Sequence, residues 1–355
     1  MDKVRIGVIG CGVMGPRHVA SAVNVERAEP VAVADWIESK ATATAENFGI
    51  GRVYRAGDEL LDDPDVDAVV LAFPAATRTA MALKAFTRGK HVLTEKPVAC
   101  NADEVRQMIA AKGDLVAGCC SLRFLYHEHA KVAVAFLARR PLGDLRLVRA
   151  RHLVPGKAKP ANTPPAWRLR RDLNGGGILY NWGCYDLDYL LGLTGWTLKP
   201  RTVFAQAWTI PQCFADHVAC ESDAETYYTA LVRCDGGTVL SLERGEYMPA
   251  AADAAWQIIG EHGTLRLMMT PGEGKQLIHD EATPDGVVSH ILWEGDEGWH
   301  GPHADAPMRD FVDAICDSRP PQTDLARSLV IQEITDAILA SATSGRCVEI
   351  GAVVD

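Results

Sequence analysis

The apolar run Val4–Ile9 leads directly into Gly10-Cys11-Gly12-Val13-Met14-Gly15 and then into a segment, 16–25, that can be helical. This is G-x-G-x-x-G in a strand-turn-helix setting, and it restricts the start of the chain more than any other feature does. The first glycine permits a tight turn, the second lets backbone approach a pyrophosphate, and the third lets helix and strand pack closely. The free N–H groups and positive dipole end of the helix then face the phosphates. Gly10, Gly12, Val13, Met14 and Gly15 are therefore expected to contact a dinucleotide. A second apolar run, 30–34, ends in Asp35, twenty residues beyond Gly15. A carboxylate there can accept both ribose hydroxyls of NAD and repels the additional phosphate of NADP. Lys40 softens that repulsion, so NAD is expected and NADP is still accommodated.

Downstream the chain alternates between strand and helix patterns. A helix is expected over 39–48, a helical turn near 58–61 and a buried parallel strand over 66–72, closed by Phe73-Pro74. A helix over 77–88 follows, with Gly89 as its C-cap, then a strand over 91–94 ending in Glu95-Lys96-Pro97, a helix near 102–111 and a strand over 115–119. This rhythm describes a doubly wound parallel sheet, whose ligands bind at the carboxyl ends of the strands. Phe73, Pro74, Glu95 and Lys96 stand at such ends and join the expected cofactor contacts. A lysine partly removed from water gives up its proton more easily, and an X-Pro bond is the one peptide bond that is cis at low cost. The first domain is placed at 1–121.

Beyond residue 122 the rhythm changes. A helix over 127–139 precedes strand-like runs at 145–153, 201–209, 226–233, 238–244, 256–260, 264–268 and 276–279. Asp235-Gly236-Gly237 reads as a hairpin turn between two of them. Residues 122–355 are expected to form an α+β domain on a large, open, mostly antiparallel sheet. Its closing helices, 308–315 and 325–341, can pack back on the first domain, and 348–350 can add a short strand.

Composition limits the remaining choices. The 355 residues carry a net charge of −10 without a long charged block, which argues against a nucleic-acid surface. No apolar stretch reaches the ~18 residues needed to span a bilayer, and the first residues lead into a strand rather than a signal peptide, so a cytoplasmic location is expected. The ten cysteines contain no C-x-x-C pair and are expected to be reduced thiols. His300 and His303 share a glycine-rich loop but lack a third ligand, so no metal centre is expected.

A second group of residues follows Gly175-Gly176-Gly177. If 178–191 is a helix, Asn181, Tyr185 and Asp188 fall at i, i+4 and i+7 on one face. Gly10 to Gly15, Glu95-Lys96-Pro97, and Gly175-Gly176-Gly177 with Gly183-Cys184-Tyr185-Asp186-Leu187-Asp188 together resemble the glucose-fructose oxidoreductase / inositol dehydrogenase / rhizopine-catabolism family, Gfo/Idh/MocA. The resemblance covers nearly the whole chain, including Trp167-Arg168, Ile259-Gly260 and Gly263. It implies a Rossmann domain, a second α/β domain built on an open sheet, a nicotinamide cofactor and hydride transfer at a carbohydrate or polyol carbon. It also implies a homodimer or homotetramer.

Many members of that family pair the lysine with an aspartate and a histidine at the positions of Asn181 and Tyr185. Here tyrosine replaces the histidine, as in the aldose oxidoreductase and dihydrodiol dehydrogenase branches. Asparagine can bind a hydroxyl but cannot accept a proton, and without a carboxylate beside it Lys96 should deprotonate more easily. The resulting expectation is that Lys96 and Tyr185 share the proton while Asn181 positions a hydroxyl. Arg123, Trp167, Arg168 and Asp188 are expected around the substrate, with arginine suited to hydroxyls or a uronate. Two other readings remain: an NAD-retaining glycoside lyase or glycosidase that uses transient sugar oxidation, and a non-catalytic sensor of dinucleotide or sugar.

Overall fold

The computed structural model describes residues 3–301, 303–322 and 324–351. Their contacts divide the chain into two compact units, one from Met1–Arg123 with His300–Gln332, the other from Phe124–Trp299 with Glu333–Asp355.

In the first unit, six strands form a sheet in the order β3-β2-β1-β4-β5-β6, every neighbouring pair parallel. They are β1 (Val4–Ile9), β2 (Ala28–Ala34), β3 (Arg52–Tyr54), β4 (Ala68–Leu71), β5 (His91–Thr94) and β6 (Ala117–Cys119). Helices α1 (Gly15–Asn24), α2 (Glu38–Phe48), α3 (Gly57–Leu61), α4 (Arg78–Thr87) and α5 (Ala102–Ala111) make the crossovers. Both faces are covered, which is why β4 is a continuous apolar run and buried throughout. Val8 and Val70 pack with Val19 of α1 and Ala41 of α2 on one face, while Val69 and Leu71 pack with Phe86 of α4 and Met108 of α5 on the other. Helix α5 begins at Asn101, whose side chain accepts the Glu104 N–H at 3.0 Å, while Glu104 reaches back to the Cys100 N–H at 3.1 Å.

The second unit carries α6 (Glu128–Leu137), β7 (Leu145–Pro155), α7 (Arg171–Asn174), α8 (Cys184–Leu193), β8 (Pro200–Trp208), β9 (Tyr227–Cys234), β10 (Val239–Met248), β11 (Asp253–Gly260), β12 (Gly263–Leu267), β13 (Gly272–Thr283) and β14 (Gly286–Glu297). After it the chain returns through α9 (Ala306–Cys316), α10 (Leu325–Ser344) and β15 (Val348–Glu349). Helix α9 belongs to the first unit, where Met308 and Phe311 enter the core beside α1, and Arg27 pairs with Asp313 at 3.0 Å. The large sheet runs β14-β13-β12-β11-β7-β10-β9-β8-β15. It is antiparallel except between β7 and β10.

Alternation along β10 buries Leu240, Leu242 and Arg244, whereas Phe204 and Leu231 on neighbouring strands remain exposed. Two strands, β3 and β14, have no counterpart in the sequence expectation, and β13 is longer than expected. Residues 286–291 of β14 are all exposed, so no buried alternating set marks them, and the strand is held by its pairing along β13. No helix among the described residues is long and apolar enough to cross a membrane.

Candidate active site

The glycine loop has the geometry that a pyrophosphate requires. Gly10 has φ +95°, and a Cβ on Gly15 would lie 2.0 Å from the Gly10 carbonyl oxygen. A Cβ on Gly12 would meet nothing within 4 Å, so this is the open side of the loop. Helix α1 has no side-chain cap at its start, which leaves its first N–H groups for an anion. Val13 is largely exposed next to them. Asp35, just beyond β2, accepts the Cys11 N–H on Oδ2 at 2.7 Å and the Ile37 N–H on Oδ1 at 2.8 Å. Its carboxylate thus shapes the loop and still has lone pairs for ribose hydroxyls. These residues fit a nicotinamide dinucleotide. Asp35→Ser should raise the KM for NAD⁺ about tenfold or more, because a charge-assisted bond is worth ~1.5–3 kcal/mol, and should narrow the gap between NAD⁺ and NADP⁺. Initial rates with both cofactors test this; an unchanged ratio would remove Asp35 from cofactor selection.

At the ends of β4 and β5 a buried polar network fixes the backbone around Lys96. Arg78, the first residue of α4 and almost fully buried, donates through Nη1 to the Glu95 carbonyl at 2.5 Å and also to the Pro97 carbonyl. Its Nε reaches the Phe73 carbonyl at 3.2 Å. One planar guanidinium therefore ties the Phe73-Pro74 turn to the Lys96 loop, a use that suits arginine and that lysine cannot reproduce. The Lys96-Pro97 bond is cis. The Lys96 N–H donates to Glu95 Oε2 at 3.0 Å, while Glu95 Oε1 accepts His18 Nε2 at 2.8 Å and Arg123 Nη2 at 3.3 Å. Burial pushes the Glu95 carboxyl up, but the His18 bond and the charges of Arg123 and Lys96 outweigh it and hold the group well below the usual carboxylate range. Arg123, expected at the substrate, thus also secures the residue before Lys96.

In the second unit the triple glycine is a close approach rather than a flexible hinge. A Cβ on Gly177 would lie 1.9 Å from the Glu225 carbonyl oxygen. The Glu225 side chain accepts the Gly177 N–H at 2.8 Å and the Leu179 N–H at 3.2 Å, anchoring the start of the next helical segment. That segment is not the uninterrupted α-helix expected from spacing. Leu179–Gly183 is a π-helical turn that passes into α8 at Cys184. Asn181 therefore lies on the wider turn, while Tyr185 and Asp188 lie on the α-helix that follows, and such turns are common at functional sites. Asn181 is half-buried on this turn; Tyr185 and Asp188 are buried on α8. The Tyr185 ring meets Phe124 edge-on at 5.1 Å between centroids and Trp182 at 5.5 Å. Asp186, next in sequence, takes a structural role, accepting Arg244 Nε at 2.5 Å and Nη2 at 2.8 Å.

Trp167 is exposed, while Arg168 is paired with Glu246 on β10. Arg170 pairs with Asp172 at 2.5 Å. The sequence reading missed Arg78, Glu95's partner His18, Glu225 and Glu246. None of them had a legible local signal: the buried alternation Leu240, Leu242, Arg244 along β10 stops before Glu246. Two groups of metal-ligand type occur among the described residues, His18-Glu95-Cys120 and His127-His129-Glu297. Each already holds a protein cation: Arg123 on Glu95, and Lys275 Nζ 2.6 Å from Glu297 Oε2 and 3.1 Å from His129 Nδ1. A metal would have to displace these charges.

Residues 4–115 match the Gfo/Idh/MocA oxidoreductase family with its NAD-binding Rossmann fold, and residues 131–266 match the C-terminal domain of that family. A dTDP-3,4-didehydro-2,6-dideoxy-alpha-D-glucose 3-reductase of Saccharopolyspora spinosa is 30% identical over 298 residues, covering 81% of this chain and 82% of that protein. The enzyme of the same name from Streptomyces violaceoruber is 29% identical over 316 residues, covering 88% and 85%. The solved structure of a levoglucosan dehydrogenase in complex with NADH and L-sorbose shares the fold, with a TM-score of 0.85 at 20% identity over 99% of this chain and 100% of that one. A glycine loop built for a dinucleotide, a braced Glu95-Lys96-Pro97 and a second unit on an open nine-stranded sheet meet in one sequence, and the chain belongs to the Gfo/Idh/MocA family of NAD-binding oxidoreductases.

Proposed function

We propose that this protein is a dehydrogenase or reductase that moves a hydride between nicotinamide dinucleotide and a carbohydrate, polyol or glycoside carbon, with Lys96 and Tyr185 handling the hydroxyl proton. When bound, the cofactor supplies the hydride acceptor or donor. The protein's own part is to hold the cofactor, orient the substrate and move one proton. In the oxidative direction, the substrate hydroxyl gives its proton to Lys96 or Tyr185 as its carbon loses hydride; in the reductive direction the same groups return it. Asn181 orients a hydroxyl without titrating. Residues 1–121 would bind the cofactor and 122–355 the substrate. The exposed apolar side chains Phe204, Trp208 and Leu231 on the large sheet suit pairing with a second copy, as a homodimer or homotetramer.

The observation that carries this reading is the bracing of Lys96. A buried, ionised Glu95 holds its N–H, and a buried Arg78 holds the carbonyls on either side. Two buried charges spent on one loop suit a side chain that has to be placed accurately. The sugar reductases similar to this chain over four-fifths of its length support the substrate class. A spectrophotometric screen of NAD⁺ and NADP⁺ against sugars, inositols, uronates and glycosides tests the reading. Substrate-dependent NADH or NADPH formation is expected. Product formation without net reduced cofactor would replace this reading with transient oxidation and elimination, and tight dinucleotide binding with no turnover would replace it with a sensor.

A further inference from the structure

Near the end of β10, alternation is interrupted. Register with β7 shifts between Gly245 and Met248, and Tyr247, a bulky residue, has φ +56°. Bulges of this kind re-aim side chains and are common beside active sites. The side chain at this one is Glu246. Its Oε2 is held by Arg168, the second residue of the Trp167-Arg168 pair, while its Oε1 is buried and has no hydrogen-bond partner among the described residues. The backbone N–H of Glu246 is tied to the Thr226 carbonyl at 2.8 Å, so the carboxylate is fixed at both ends.

The groups acting on Glu246 are few. Burial pushes its carboxyl up, more than Arg168 and Arg244 pull it down. Arg244 is itself committed to Asp186. A buried carboxylate with one oxygen held and the other lacking a donor is a strong acceptor for a neutral O–H donor and a poor neighbour for another anion. The exposed indole of Trp167, adjacent to Arg168, offers an aromatic face of the kind that packs on the C–H surface of a sugar ring.

We propose that Glu246, held by Arg168, is a specificity-determining residue whose Oε1 accepts a hydrogen bond from a hydroxyl of a neutral polyhydroxylated substrate, so that the pair selects against uronates. This deepens the function proposed above and rests on it for the identity of the site. It also reverses the expectation that Arg168 can receive a uronate, because the charge of that arginine is already matched within the protein.

The test uses the full-length protein saturated with NAD⁺. Binding by calorimetry and hydride transfer by absorbance are measured for D-glucose, D-xylose, myo-inositol and levoglucosan, and for D-glucuronate and D-galacturonate. The best neutral ligand is expected to bind about tenfold or more tighter than the uronates. Glu246→Gln should weaken that ligand about tenfold, with KM raised by more than kcat falls, since an amide oxygen makes roughly half as strong a bond as a carboxylate. The same variant should leave uronate binding equal or improved, so that the neutral-to-uronate ratio collapses. A monodeoxy analogue lacking the contacted hydroxyl should bind wild type and Glu246→Gln equally, which a purely structural role for Glu246 would not produce.

Wild type binding uronates as well as neutral ligands overturns the proposal without any variant, as does an unchanged ratio in a folded Glu246→Gln. Hydride transfer with an unchanged ratio removes this inference alone. Selective binding of neutral ligands without hydride transfer removes the proposed function and leaves Glu246 as the selector. Failure of every neutral probe to bind removes both.

Discussion

Lys96→Met is expected to lower kcat for hydride transfer by about 10²–10⁴-fold, the range over which a positioned proton-transfer group contributes. Methionine keeps most of the length of the lysine stem and removes only the titrating group. The variant should fold and bind NAD⁺ almost normally, because the hydrogen bonds around position 96 act on backbone and the charge of Lys96 is the smallest of those that hold Glu95 ionised. Glu95 accepts the residue's N–H, and Arg78 donates to the carbonyls of Glu95 and Pro97. Tyr185→Phe should show a smaller loss if the two groups share the proton. Single-turnover measurement of NADH formation, with NAD⁺ affinity measured separately, distinguishes lost chemistry from lost binding. Turnover within a few-fold of wild type in both variants would sink the assignment.

Arg244→Met is expected to destabilise the second unit by about 3–5 kcal/mol, the cost of leaving one member of a buried ion pair alone. Both side chains of the Arg244–Asp186 pair are almost fully buried, and the bonds are bidentate. Trp256 adds an indole N–H to the same carboxylate at 3.2 Å, and the guanidinium lies 4.8 Å from the ring centre of Trp182. Removing the arginine strands Asp186 on α8, beside Tyr185. Urea unfolding followed by tryptophan fluorescence gives the loss, and the double variant Arg244→Met/Asp186→Leu should recover much of it, since replacing both partners removes the stranded charge. A single variant as stable as wild type would show that Asp186 finds another counter-charge.

The parts of the site that were legible in sequence are those where local geometry dictates residue type. The glycine loop is one case: Gly10 needs a left-handed backbone, and Gly15 is so close to the Gly10 carbonyl that no side chain fits. The run of apolar strands between amphipathic helices is another, because a parallel sheet covered on both faces leaves no polar alternation in its strands. The π-helical turn at Leu179–Gly183 was not legible, because helical spacing alone cannot register one extra residue in a turn, and the residue that anchors its start, Glu225, lies far along the chain. Strand β14 escaped for a related reason: its first half, 286–291, is exposed throughout and shows no buried alternation, and the strand pairs along β13.

By itself, the sequence determined most of the order of strands and helices, the dinucleotide loop and the position of Lys96 at a strand end, each of which follows from short-range rules linking neighbouring residues to backbone shape; the family was legible as a resemblance carried by three ordered motifs. Only the tertiary structure decided what the charged residues do. Arg78 lies in an ordinary helix pattern yet braces the Lys96 loop, Arg168 is matched by Glu246 from 78 positions away, and Asp186 is committed to Arg244. A charge in a folded protein acquires its role from the partner that burial forces on it, and partners so distant in the chain leave no local trace.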